Sequence, residues 1–240
     1  KTVAVGRSAL SSQNFTTASD SNNTAVGYFA GLSITTGVNN TLIGSQAGDA
    51  LTDADHNVAI GLQALSTDTL GSRTVAIGQG ALENQNFTTA TNTFNVAIGF
   101  HAGTSVTTGV QNTIVGGRAG DALVDANYNV AIGEQALTTD TEGNRSVAVG
   151  FGALAIQNLT TSTDTYNTAV GSNAGEQLTT GIHNVFIGGL AGDFLTDADD
   201  NVAVGYAALS ADRLGNKNTA LGRGTLSNQA FTTATDSYNT

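Results

Sequence analysis

Apolar residues alternate with small ones for only a few positions at a time, and the alternation restarts at fixed intervals. Short runs of the form Asn-(Thr/Val)-Ala-(Val/Ile)-Gly close at Gly6, Gly27, Gly44, Gly61, Gly78, Gly99, Gly116, Gly133, Gly150, Gly171, Gly188, Gly205 and Gly222. The spacing of these glycines runs 21, 17, 17, 17 and then repeats twice, so a 72-residue super-repeat holds four smaller units. Self-similarity at such a period marks a stacked repeat array in which each unit contacts only its neighbours. The whole of 1–240 reads as one array, with super-repeats 7–78, 79–150 and 151–222 between partial repeats 1–6 and 223–240. With no initiating Met and no capping segment at either end, the chain is expected to be part of a longer protein.

Within Arg145-Ser146-Val147-Ala148-Val149-Gly150, the period of two puts Val147 and Val149 on one strand face and Ser146 and Ala148 on the other. Val58/Ile60, Val75/Ile77, Val96/Ile98 and Val130/Ile132 follow the same rule. β-Branched residues favour extended backbone, and glycine at the strand end permits the turn with φ > 0 that changes direction. Asn23, Asn40, Asn57, Asn95, Asn112, Asn129, Asn167, Asn184 and Asn201 precede strands and are expected at the corner, where a short amide tolerates left-handed backbone and bonds nearby peptides. Thirty glycines, with many Thr and Val, disfavour helix. The predicted fold is all-β, a parallel β-solenoid whose coils follow the 17 and 21 spacing of the closing glycines. The longer coils carry their extra residues in the stretches starting at Gln13, Gln85, Gln157 and Gln229, which are expected to project as loops.

Three residues after each closing glycine stands a methyl group. Ala30, Ala47, Ala64, Ala102, Ala119 and Ala136 belong to this column, with Thr225 the exception. A position restricted to alanine implies close approach, either of the opposite wall of the same coil or of a neighbouring chain. A unit such as 62–78 offers few large apolar residues, namely Leu62, Leu65, Leu70, Val75 and Ile77. Association of several copies, burying the alanine column and part of the Val/Ile face, would supply the missing apolar area.

Only 11% of residues are charged, and the net charge is −11 with eight Lys and Arg in all. That balance argues against nucleic acid and against anionic membrane contact within the segment. There is no cysteine, hence no disulfide or thiolate site, and no apolar run approaches the roughly 20 residues that span a bilayer. His56, His101 and His183 sit in unlike contexts, which argues against a catalytic triad or zinc site, so the expectation is a protein that is not an enzyme and holds no cofactor. Asp53 with Asp55, Asp125 with Asn127, and Asp197 with Asp199 supply hard oxygen atoms at matching positions, as Ca²⁺ requires. The Gly-Gly-x-Gly-x-Asp pattern of calcium-binding rolls is absent, which favours plain turn formation for these residues. Phe15, Phe87 and Phe231 recur in the longer loops, and Phe94, Tyr166 and Tyr238 recur just after them. The two sets are expected to tuck together; exposed, either becomes a contact for a host-surface carbohydrate or protein receptor.

The run 145–150 with Ala153 resembles the head repeats of trimeric autotransporter adhesins, the YadA-like type, and the unit 23–31 is similar to repeats of bacterial surface proteins and phage tail fibres. The resemblance implies a left-handed β-roll, three chains about a threefold axis, an extracellular cell-surface location and adhesion. Both kinds of unit in this chain are longer than that family's usual one. The expected function is the stalk or head of a bacterial adhesin, a self-associating fibre segment. Three alternatives use the same coil: the shaft of a phage tail fibre on a virion, an end-to-end filament, and an ice-binding solenoid displaying threonine pairs such as Thr35-Thr36 and Thr107-Thr108.

Overall fold

The computed structural model describes residues 1–17 and 19–240. Among them every regular element is a short strand and no helix forms. The chain is a parallel β-solenoid, divided into two compact units, 1–115 and 116–240.

In the first unit the strands Val3–Val5, Thr24–Val26, Thr41–Ile43, Val58–Ile60, Val75–Ile77, Val96–Ile98 and Thr113–Val115 stack in chain order as a parallel sheet. Register is like on like: Ala59 lies over Ala76, and Ile60 over Ile77. A second wall is marked by Gly71–Ser72, which pairs with Thr91–Asn92. In the second unit Val130–Ile132, Val147–Val149, Thr168–Val170, Val185–Ile187, Val202–Val204 and Thr219–Leu221 stack in the same way. There Gly143–Asn144 pairs with Thr163–Asp164, and Gly215–Asn216 with Thr235–Asp236. The closing glycines are fixed by contact between coils: at Gly61, with φ of 134°, a Cβ would fall 2.5 Å from the carbonyl oxygen of Gly78.

The central residue of each strand points inward. Ala59, Ala76, Ala97, Ala131, Ala148 and Ala169 are completely buried, and the Val and Ile residues that flank them face out, half-buried or exposed. The alanine column is also internal. Ala30, Ala47, Ala64, Ala102, Ala119 and Ala136 all have 0% exposure within their own chain, so no surface of these residues is left for a neighbouring chain to touch. That corrects the interchain role considered for them. The physical reason is that the column lies on the inside of the coil, where the chain's own residues enclose each methyl group completely.

Interior volume is shared between adjacent coils. Where the strand centre is Leu42, Ile114 or Phe186, the position four residues after the closing glycine is glycine in that coil and in the one before it. A Cβ on Gly31 or Gly48 would lie 2.7 or 2.8 Å from a methyl of Leu42, and one on Gly175 or Gly192 would lie 2.6 Å from the Phe186 ring. Where the strand centre is alanine in two successive coils, that position is a buried leucine, as at Leu65 and Leu82 or Leu137 and Leu154.

The same alternation governs the position seven residues after the glycine. It is Ile34 and Leu51, Val106 and Leu123, or Leu178 and Leu195 in one pair of coils, all fully buried. In the other pair it is Asp68 and Gln85, or Asp140 and Gln157, equally buried. The four-coil period is thus two coils with an apolar interior followed by two with a polar one. An amide ladder runs beside them, interrupted at Thr74 and Ser146. Asn57 N–H donates to Asn40 Oδ1 at 2.9 Å, and Asn57 Nδ2 donates to the carbonyl of Gly71 at 2.9 Å. In the second unit Asn184 and Asn201 repeat the ladder, Asn201 N–H donating to Asn184 Oδ1 at 3.0 Å. Buried amides persist in a thin core only when paired in this manner. The left-handed corner falls one residue before the inward-turning polar residue, at His56, Tyr128 and His183 ahead of an asparagine and at Arg73 and Arg145 ahead of Thr74 and Ser146, with φ near 60°. That is a shift from the predicted corner: the asparagine turns inward to bond, and its predecessor carries the strained backbone and projects outward.

Candidate functional site

Two exposed surfaces stand out. The first is the outer face of the sheet. In the first unit it presents Val26, Ile43, Ile60, Ile77 and Ile98 in one column and Thr24, Thr41, Val58, Val75 and Val96 in the next. Exposure reaches 38% at Ile43 and Ile98. Tyr28, Leu62 and Phe100, each directly after a closing glycine, are 43%, 43% and 49% exposed. In the second unit Ile132, Val170, Ile187 and Val202 are exposed in the same way, with Phe151 and Tyr206 after the glycines. With strands about 4.8 Å apart, the stacked flanking residues form continuous columns along the outer face.

The second surface is the left-handed corner of the second unit, where successive coils place Tyr128, Arg145, Tyr166 and His183. The Arg145 guanidinium lies 4.7 Å from the centre of the Tyr128 ring and 5.8 Å from that of Tyr166. Arg145 Nε also meets Asp164 Oδ2 at 3.1 Å, and Tyr166 Oη donates to the same oxygen at 3.3 Å. Tyr166 packs near His183, which meets Asp200 at 3.3 Å. Further along, Lys217 bonds Asp236 at 2.5 Å and lies 5.3 Å from the Tyr238 ring centre. The pairing holds the Lys217 ammonium above its ordinary range and the Asp236 carboxyl below its own, through the hydrogen bond between them.

The receptor-contact candidates divide. Tyr166 and Tyr238 are exposed, at 53% and 65%, as is Phe94 at 52%. Phe87 is buried, and Phe15 and Phe231 are half-buried, so these loop residues are partly or wholly enclosed by the longer coils, while Phe94, Tyr166 and Tyr238 are the more open to a partner. The two aromatic sets do not bury each other as expected. Of the extra loop residues, Thr88 to Ala90 are exposed, but Gln85 at the start of the stretch turns fully inward.

The carboxylates considered for Ca²⁺ sit on the turn-rich side. Asp53 accepts from Thr36 Oγ1 and Asp197 from Thr180 Oγ1, both at 2.6 Å. Asp55 accepts from Val38 N–H at 2.7 Å, and Asp199 from Ile182 N–H at 2.8 Å. Asp125 is exposed at the equivalent turn. Among the described residues no three His, Cys, Asp or Glu side chains gather as a metal-binding group.

Sequence reasoning missed the buried Asp/Gln pairs. Asp68 Oδ1 accepts from Gly71 N–H and Phe87 N–H, at 3.1 and 3.0 Å, and Oδ2 accepts from Gln85 Nε2 at 2.6 Å. Burial pushes the Asp68 carboxyl up against these hydrogen bonds. The signal that could have found them was the Asp-x-x-Gly spacing at 68–71, 140–143 and 212–215. The glycine is required because a Cβ there would collide with the carboxylate. Comparison of the chain with protein-family models, with curated proteins and with solved structures finds no match.

Proposed function

We propose that this chain is a non-catalytic structural segment of an extracellular fibre, the stalk or head of a bacterial surface adhesin, in which copies of the same chain cover the outer sheet face. One observation carries the reading: the β-branched side chains that flank each strand centre point away from the coil in columns, while the centre itself, most often alanine, points in. A soluble chain gains by burying such columns, and a like-on-like parallel register presents the same columns on every copy, as symmetric association requires. A homotrimer is the favoured form. The exposed Tyr128, Arg145 and Tyr166 corner is the favoured contact for a carbohydrate or protein receptor, since rigid aromatic side chains bind at low entropic cost.

The test is the solution mass of the purified 240-residue chain by light scattering. A mass of three chains supports the reading, open-ended high mass supports the end-to-end filament, and a stable monomer overturns self-association.

A further inference from the structure

One coil of each super-repeat carries an aspartate five residues after its closing glycine, at Asp49, Asp121 and Asp193. Two of the three have an internal side-chain donor. The Gln46 amide bonds the Asp49 carboxyl, and Asp121 Oδ1 accepts from Thr138 Oγ1 at 2.5 Å. The third is left without one. Leu190, which has nothing to donate, stands where the first super-repeat has Gln46 and the second Arg118. Ser210 takes the place of Thr138, yet Asp193 Oδ1 is buried with no hydrogen-bond partner, on a residue only 9% exposed. Asp49 Oδ1 is unpartnered too, but that residue is half-buried and keeps Gln46 on its carboxyl.

A second carboxylate stands next to Asp193. Gln177 N–H donates to the Asp193 carbonyl at 3.0 Å, and Gly175 N–H to that of Ala191 at 2.9 Å. This register sets Glu176 beside Asp193 on the adjacent coil, about 4.8 Å away along the stack. The Glu176 charge acts on the Asp193 carboxyl. In the other two super-repeats the residue seventeen before the aspartate is Leu32 or Thr104, so only the third places two carboxylates together. Among the described residues neither Glu176 nor Asp193 forms an ion pair.

We propose that Glu176 and Asp193 bind a hard divalent cation, of the Mg²⁺ and Ca²⁺ class, that clamps their two coils together. A buried carboxylate oxygen without a donor and a like charge beside it both oppose the ionised state, and a cation between the two groups offsets both costs at once. The donor set is oxygen only, and no histidine or cysteine joins the pair to make a group of three, which selects hard ions over zinc or copper. Two carboxylates leave much of the coordination shell to water, the manner in which Mg²⁺ is ordinarily held. Glu176 is half-buried, so the pair keeps one side open for the ion and its waters. The other two super-repeats need no ion there, since each has Gln46 or Thr138 as donor and lacks the second carboxylate.

The test is thermal melting of the 240-residue chain at neutral pH, first freed of metal with a chelator and then titrated with Mg²⁺ or Ca²⁺, with ionic strength held constant by NaCl so that screening of the net negative charge does not count. Because the ion binds the folded coils alone, the melting temperature should rise by about 5–10 °C at 100 times the dissociation constant. Calorimetric titration should find a single site per chain. Glu176→Gln and Asp193→Asn should each abolish both signals, and Leu190→Arg, which restores the residue of the second super-repeat, should weaken them. Asp53→Asn, on a turn carboxylate elsewhere, should keep them. Melts that neither ion moves, or a rise that survives both Glu176→Gln and Asp193→Asn, overturn the proposal; stabilisation by acid alone overturns it in favour of a shared proton. The readout does not depend on whether the chain self-associates.

Discussion

The two coils whose interiors are apolar and the two whose interiors are polar share the closing glycines and the inward alanine three residues after them, although one polar coil of each pair has the longer 21-residue backbone and the other has Thr74 or Ser146 in place of a ladder asparagine. They differ in what fills the space across from the strand. In the Val185–Ile187 coil a single large ring, Phe186, occupies the volume that Gly175 and Gly192 leave open, beside Leu178 and Leu195. In the Val147–Val149 coil a smaller strand centre, Ala148, is matched by Leu154, and the remaining space is taken by Asp140 and Gln157 bonded to each other. The difference shows that a thin solenoid can be stabilised by transfer of apolar atoms or by complete pairing of polar ones, provided each is arranged over two coils. A one-coil solution would leave half a ring or half a pair facing the wrong neighbour.

Removing the ring is expected to have the largest effect. Phe186→Ala opens a cavity that Gly175 and Gly192 cannot close, and should cost about 3–5 kcal/mol in urea unfolding. Breaking the polar pair comes next. Asp140→Ala leaves Gln157 Nε2, Gly143 N–H and Leu159 N–H short of an acceptor in the interior, and should cost about 2–3 kcal/mol by the same measurement.

A carboxylate misplaced among the apolar coils sharpens the contrast. Asp193 is 9% exposed, its Oδ1 has no hydrogen-bond partner, and desolvation, with the neighbouring Glu176 charge adding, pushes its pKa up to about 6. A carboxyl raised above its unfolded value favours the fold when protonated. Its contribution is full below about pH 4 and is lost as pH rises through about 6. Asp193→Asn should therefore be more stable than the parent by on the order of 2 kcal/mol above pH 6, with the gap closing by pH 4, read from melts across that range. Asp121, at the matching position, accepts from Thr138 Oγ1 at 2.5 Å, so Asp121→Asn should show no such gain. The smallest effect belongs outside both interiors. Ile60→Thr on the outer face should change the stability of a dissociated chain by less than about 0.5 kcal/mol, while weakening any assembly that face supports, as light scattering would show.

The stacking was legible because it rests on backbone. Glycines such as Gly61 recur where only a hydrogen atom fits between coils, and their spacing alone sets the register that the strands adopt. The orientation of each strand was less legible. A period of two states that Val147 and Val149 share a face but not which face is inside, and size suggests the wrong answer: Ala148 is the buried one. Asn57 and Gln85 were illegible for a different reason, since an inward amide is acceptable only when its partners, which lie 10 to 17 residues away, are known. The candidate surfaces follow from the same point. Tyr166 is open because its backbone is the left-handed corner, and Phe87 is closed because the coil needed its ring.

The like-on-like register has a consequence for heredity. Asn57 bonds Asn40 and Asn201 bonds Asn184 across equal steps, and every kind of neighbour recurs after one full super-repeat. Recombination between two copies of the block, losing 151–222 for instance, would set each surviving coil against a neighbour of the kind it already had. The gene can therefore change length in whole blocks without making the fold solve a single new packing problem, so variants of different length should be as foldable as their parent.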